Sequence, residues 1–317
     1  MGAVRTRPLP AAFVALTIAF AACTGGGSSI PTPTARTGSL AASVASSDLY
    51  AGTPQRFLLG MLHQDAQGVK FLTGGELPFA FSYLGADGGA SPEPGPEATG
   101  SYIPAPGTPD AGNTEPTLTA PSEGRGVYQA EDVTFDRAGI WRVTTEADGE
   151  TLTADFGVTD EPQLPAPGEP APASENLTVD RTDVDPSSID SRALQGAAVP
   201  DPELHSTTVA AALDTHSPIL LVLATPTYCT SQLCGPDVEV VERLAANYVD
   251  RATFIHIEVW EHYPDTISDA AKDWLEPVET EPWMWLIGSD GTIVDRWGPV
   301  WSVDEVEGML ADLPPLR

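Results

Sequence analysis

Residues Pro218 to Leu244 read PILLVLATPTYCTSQLCGPDVEVVERL. The run of Ile, Leu and Val from Ile219 to Ala224 has the composition of a strand buried on both faces. A short polar loop holding Cys229 and Cys234 follows it, and Val238, Val241, Leu244, Ala245 and Tyr248 then recur at helical spacing. Pro236 has no amide proton and suits a first helical turn, so the helix is expected to start near it with Cys234 at its N-terminus. Free amides and the helix dipole stabilise a thiolate there, whereas Asp237 and Glu239 oppose one. On one continuous helix the two cysteines would stand more than about 7 Å apart at Cα, too far for a relaxed disulfide. With Cys229 in the preceding loop the obstacle disappears, and the pair is expected to be bonded when oxidised.

Downstream, Thr253 to Trp260 reads as a second strong strand, with His256 and Glu258 on one face and Ile255, Ile257 and Val259 on the other. Ile267 to Leu275 is a weaker helix, and Trp283 to Ile287 and Thr292 to Trp297 flank Gly288-Ser289-Asp290-Gly291 as a hairpin. Ser302 and Glu305 form a capping box ahead of Val306, Met309 and Leu310. Upstream of the quoted stretch, Thr207 to Thr215 can form a short helix. Six of the seven tryptophans lie between Trp260 and Trp301, an arrangement that core packing explains better than a partner groove.

The first half of the chain has period two. SLAASVAS, QRFLLGMLHQ, PFAFSYLG, GVYQAEDVTF, GIWRVTTEA and TLTADFGVT read as short strands, the last two joined by a turn at Asp148-Gly149. Residues 39–160 are therefore expected to form an all-β sandwich of immunoglobulin type. Residues 85–126 are rich in Pro, Gly, Glu and Thr and read as a long mobile loop within it. Residues 161–174 read as a Pro-rich linker, and residues 175–317 as a second, α/β domain.

The 317 residues suit two domains, and 31 prolines with 29 glycines call for loops and linkers. A formal net charge of -30 repels phosphate backbones, so nucleic acid is not an expected partner. Arg5 and Arg7 precede an apolar run from Ala11 to Ala22 that is short for a permanent membrane span, and residues 1–22 read as a signal peptide. Phe20-Ala21-Ala22-Cys23 resembles the bacterial lipobox, which implies lipidation at Cys23, with residues 23–38 as a flexible tether. The body is then expected to be extracytoplasmic and held at the membrane through that anchor. There disulfides persist.

The order strand, helix, strand, helix, hairpin, helix, with a cysteine loop after the first strand and Glu281-Pro282 before the hairpin, resembles the thioredoxin-like fold. The resemblance implies a cis proline at Pro282 beside Cys229 and Cys234, and no cofactor. GVYQAEDVTFDRAGIW is similar to the closing strands of bacterial immunoglobulin-like modules. Cys229 to Cys234 is C-x4-C where thioredoxins have C-x-x-C, and Asp237 stands where CGPC has its second cysteine. ATPTYCT is similar to the TPGCT segment of one peroxiredoxin type, with Pro226 and Val222 replacing its pocket-forming threonine and proline.

The functional expectation is thiol–disulfide exchange with exported thiol or disulfide proteins, with Cys229 as nucleophile and Cys234 as resolving thiol, or the reverse. A structural disulfide in a non-catalytic binding module is the plain alternative. Two thiolates and an imidazole from Cys229, Cys234 and His256 would also suit Cu(I), and peroxiredoxin-like activity is a further option.

Overall fold

A computed structural model describes residues 39–278 and 280–316. The signal peptide, the tether and Cys23 lie outside the described residues. The first half contains β1 (Leu40–Val44), β2 (Gln55–Asp65), β3 (Gly68–Thr73), β4 (Glu76–Tyr83), β5 (Glu93–Pro104), β6 (Thr117–Thr119), β7 (Gly126–Val133), β8 (Gly139–Ala147) and β9 (Glu150–Val158). The second half contains α1 (Val209–Asp214), β10 (Ile219–Ala224), α2 (Cys234–Tyr248), β11 (Thr253–Glu258), β12 (Trp260–His262), β13 (Thr266–Ile267), α3 (Asp269–Leu275), β14 (Trp283–Ile287), β15 (Ile293–Trp297) and α4 (Val303–Asp312).

Hydrogen bonds join the first nine strands into one antiparallel sheet of order β6-β3-β2-β7-β5-β4-β8-β9, with β1 also paired to β2. Ala51 N and Thr159 N bond across to Thr159 O and Leu49 O, so the segment after β1 meets the end of β9 and the sheet curls back on itself. The cause is alternation. In β4, Leu77, Phe79 and Phe81 are buried while Glu76, Pro78 and Ala80 are exposed. Inside, Phe57, Phe81, Phe135 and Phe156 pack with centroids 4.9–6.4 Å apart, mostly edge to face. Asp148 and Gly149 both adopt positive φ, the requirement of a tight two-residue hairpin turn.

The expected loop at 85–126 is not one continuous loop. Its residues 93–104 are β5, which pairs with β4 through Glu93–Ser101 and with β7 through Ser101–Pro104. Pro94 and Pro96 fall where β5 has a neighbour on one side only, so their missing amides cost no ladder bond. Gly126, on β7, lies so close to β5 that a Cβ would come within 2.1 Å of the Ile103 carbonyl. Gly126→Ala is therefore expected to destabilise the protein by about 1–3 kcal/mol, measurable as a lower denaturant midpoint; an unchanged midpoint would show that the strands can part.

The second sheet has order β11-β10-β14-β15, with β10 and β11 parallel and the other pairs antiparallel. Every residue of β10 is buried. Leu220, Val222 and Ala224 face a core shared with α2 and α4, and Ile219, Leu221 and Leu223 face another shared with α1 and α3. Ser302 caps α4 as the capping box requires, accepting from Glu305 N at 3.3 Å. Among the tryptophans of this half, Trp274, Trp283, Trp285, Trp297 and Trp301 are buried. Residues 161–174, expected to be a spacer, are built into the body instead. Leu164 and Ala166 are buried, and Pro165 O accepts a bond from Trp285 Nε1 at 2.9 Å.

The two sheets are joined by ion pairs. Arg56 on β2 makes a bidentate pair with Asp295 on β15, at 2.8 and 2.6 Å, and also contacts Glu305. Arg296 reaches back to Asp48 at 2.8 Å.

Candidate functional site

The cysteine loop begins where β10 runs out of partners. Thr225 O accepts from Cys229 N at 3.2 Å, Cys229 O accepts from Gln232 N at 3.3 Å, and Gln232 adopts φ +59°, which turns the chain into α2. Cys229 and Cys234 form a disulfide with their Cα atoms 6.0 Å apart. Their surroundings differ. Cys234 is the first residue of α2 and fully buried, whereas Cys229 is half-buried, its Sγ 3.0 Å from Ser231 Oγ. The helix starts two residues before the position expected from Pro236, which leaves Cys234 within its first turn and near its free amides.

Asp237 does not oppose a thiolate in the way its charge suggests. It is buried, its Oδ2 accepts from Trp301 Nε1 at 3.2 Å and its Oδ1 has no hydrogen-bond partner. Burial pushes its carboxyl well above the usual range, with the Trp301 bond and Arg125 working weakly against this. Glu239 points to solvent.

The Glu281–Pro282 peptide is cis. Leu223 pairs with Trp283, and continuing that antiparallel register sets Pro282 opposite Ala224 and Glu281 opposite Thr225, at the base of the cysteine loop. Burial pushes the Glu281 carboxyl up to about 7, against hydrogen bonding from Thr225.

Both acids have a native pKa above the unfolded one. Well below pH 3.8 both are protonated in either state and cost nothing. As pH rises, the unfolded chain ionises first and is favoured, until the native group ionises too, for Glu281 at about 7. Wild-type stability relative to Asp237→Asn and Glu281→Gln is thus expected to fall between pH 4 and 7, measured by urea unfolding across that range. Parallel pH profiles in all three proteins would contradict this.

The loop is held from both sides. From the first sheet, Arg125 Nη2 donates to Gln232 O at 2.8 Å, Gly107 packs against Pro236, and Leu233 packs against Leu58, Ala105, Val127 and Val300. From the other side, Ser191 Oγ accepts from Thr227 N at 3.1 Å and Ser191 O accepts from Thr227 Oγ1 at 2.9 Å. Tyr228 stacks on Tyr263 with centroids 4.3 Å apart. None of these contacts is signalled in the sequence, because each joins segments distant along the chain.

Among the described residues, the His256 ligand atoms gather within 4.8 Å with those of Asp190 and His205 and not with the cysteines, so the expected Cu(I) set of Cys229, Cys234 and His256 is not assembled. The alternation along β11 is as expected, with Ile255 and Ile257 in the core on the α1 and α3 side. On the other face, a strap at residues 186–205 covers the strand and takes both polar side chains. Glu258 Oε2 accepts from Ser191 N at 2.7 Å, and His256 lies against Asp190 and His205. His262, further along the chain, is exposed.

The chain matches no family model, no curated protein and no solved structure. Among the described residues no helix is long and apolar enough to cross a membrane.

Proposed function

We propose that this chain carries out thiol–disulfide exchange on exported proteins, from a lipid anchor at Cys23. The observation that carries the reading is the unequal burial of the bonded cysteines. Cys229 is reachable and Cys234 is not, which is the division of labour between an attacking and a resolving sulfur. It favours Cys229 as nucleophile over the reverse assignment. Cys234 at the start of α2 is favoured as the resolving thiolate by the helix amides.

Two further features support a thioredoxin-like identity for residues 175–317. Helices cover both faces of the second sheet, and the cysteine loop leaves the end of its central strand β10, with Pro282 opposite. The curled first sheet, whose inward side chains share one core, is read as a variant of the immunoglobulin-like sandwich.

The structural staple is the second reading. The clamping of the loop by Arg125, Leu233 and Ser191 favours it, since a loop held on two sides resists the opening that exchange needs. Thiol titration against a glutathione redox buffer separates the two. A reduction potential above about -300 mV, with turnover of a model disulfide, supports exchange; a lower potential with no turnover supports the staple.

A further inference from the structure

The geometry points to a buried divalent-metal site, of the zinc class, made by Asp190, His205 and His256. The site is separate from the cysteines and independent of the redox reading. The three side chains are fully buried, and one nitrogen of each ring and a carboxylate oxygen lie within 4.8 Å of one another. His205 Nε2 is 3.4 Å and His256 Nδ1 is 3.5 Å from the same atom, Asp190 Oδ2. Neighbouring ligand atoms around tetrahedral zinc, with bonds of about 2.0–2.1 Å, stand about 3.3–3.4 Å apart. The same separations are too long for charge-assisted hydrogen bonds, which close to about 2.7–2.9 Å.

Hydrogen bonding does not account for these nitrogens. Neither ring nitrogen of His205 has a partner, and neither does His256 Nδ1. His256 Nε2 lies 3.0 Å from Ala224 O, which can only accept, so that nitrogen carries the proton. With Nδ1 unprotonated its lone pair faces the Asp190 carboxylate, a repulsion that either a proton on Nδ1 or a bound cation removes. A histidine that donates one N–H to a backbone carbonyl and aims the other nitrogen inward has the form of a metal ligand.

The surroundings fit the same assignment. Arg192 grips Asp190 from behind, with Nε 3.0 Å from Oδ1 and Nη2 2.7 Å from Oδ2, and so fixes the carboxylate's direction. Arg192 also pairs with Asp201, and Glu258 acts on His256 from the next inward position of β11. Asp190 and Asp201 thus share a single guanidinium, a local excess of negative charge that a divalent cation offsets. Two imidazoles and a carboxylate suit zinc-class ions better than Cu(I), which prefers sulfur. The ion would pin the strap, through Asp190 and His205, to β11, and the strap in turn holds Thr227 in the cysteine loop.

The test is metal content of the full-length protein after equilibration with Zn²⁺ and removal of loose metal by gel filtration. One equivalent per chain is expected, unchanged in a Cys229→Ser/Cys234→Ser double variant and lost in His205→Gln and His256→Gln. Because a histidine variant can fail to fold, wild-type protein is also loaded with Co²⁺. A tetrahedral visible spectrum without a thiolate charge-transfer band is expected, together with a thermal midpoint raised by Zn²⁺ and not by Mg²⁺. Less than a tenth of an equivalent on the wild type would overturn the assignment, as would metal that leaves with the cysteines.

Discussion

Cys229→Ser is expected to lower disulfide-exchange turnover by roughly 10³-fold or more, because it removes the attacking sulfur. Cys234→Ser is expected to stop turnover at a different point. In the proposed cycle the Cys229 thiolate attacks one sulfur of a substrate disulfide, that S–S bond breaks, and the substrate's other sulfur leaves as a thiolate. A mixed disulfide remains. Cys234 then attacks Cys229, the mixed disulfide breaks, and the substrate's second thiol is released. The chain ends oxidised and the substrate has gained two electrons. Without Cys234 the second step has no nucleophile, so the mixed disulfide accumulates. Of the bonded pair, Cys229 is partly exposed and Cys234 fully buried, so a covalent adduct should form in Cys234→Ser and not in Cys229→Ser. Mass spectrometry after mixing with a disulfide peptide reads this directly. Adducts on both variants would reverse or erase the assignment of roles, and turnover surviving both substitutions would sink the exchange reading.

Arg296→Met is expected to cost about 3–5 kcal/mol of stability, the largest effect foreseen away from the cysteines. Arg296 and Asp48 form a pair whose side chains are 8% and 0% exposed. The guanidinium also donates to Leu164 O at 2.9 Å and lies over the rings of Tyr50 and Trp283. Removing it leaves a charged Asp48 in the interior with only the amides of Gln163 and Leu164 to accept from. Those two bonds place the expected loss toward the lower end of the range. Replacing both partners, Asp48→Leu with Arg296→Met, is expected to recover a large part of it, since no uncompensated charge remains. Urea unfolding of the wild type, the single variant and the double variant measures the coupling; a loss below about 1 kcal/mol in the single variant would mean that water reaches Asp48.

Much of the architecture was legible in the chain, because alternation and helical spacing report directly on burial. The strands of the first half with clear alternation, the fully apolar β10, and the capped helix after Ser302 all follow from local pattern. The closeness of Cys229 and Cys234 was legible as well, once a loop was placed between them.

What the sequence concealed shares one cause, the meeting of distant segments. β5 looks like a loop because five of its twelve residues are Pro or Gly. Its glycines are used for contact: a Cβ at Gly95 would come within 2.5 Å of the Trp141 ring and one at Gly100 within 2.4 Å of the Phe79 ring. Burial of Asp237 beside Trp301 reversed the reading of its charge. His256 shares a strand face with Glu258 as the alternation implies, but its partners come from a strap more than fifty residues upstream.

By itself, then, the sequence determined the strands with clear alternation, the fully apolar β10, the main helices and the cysteine pair, because each depends on residues near one another along the chain. Only the tertiary structure decided that one sulfur is reachable and the other is not, and that His256 belongs with Asp190 and His205. Burial and the convergence of distant side chains are properties of the packed whole, which no local pattern encodes.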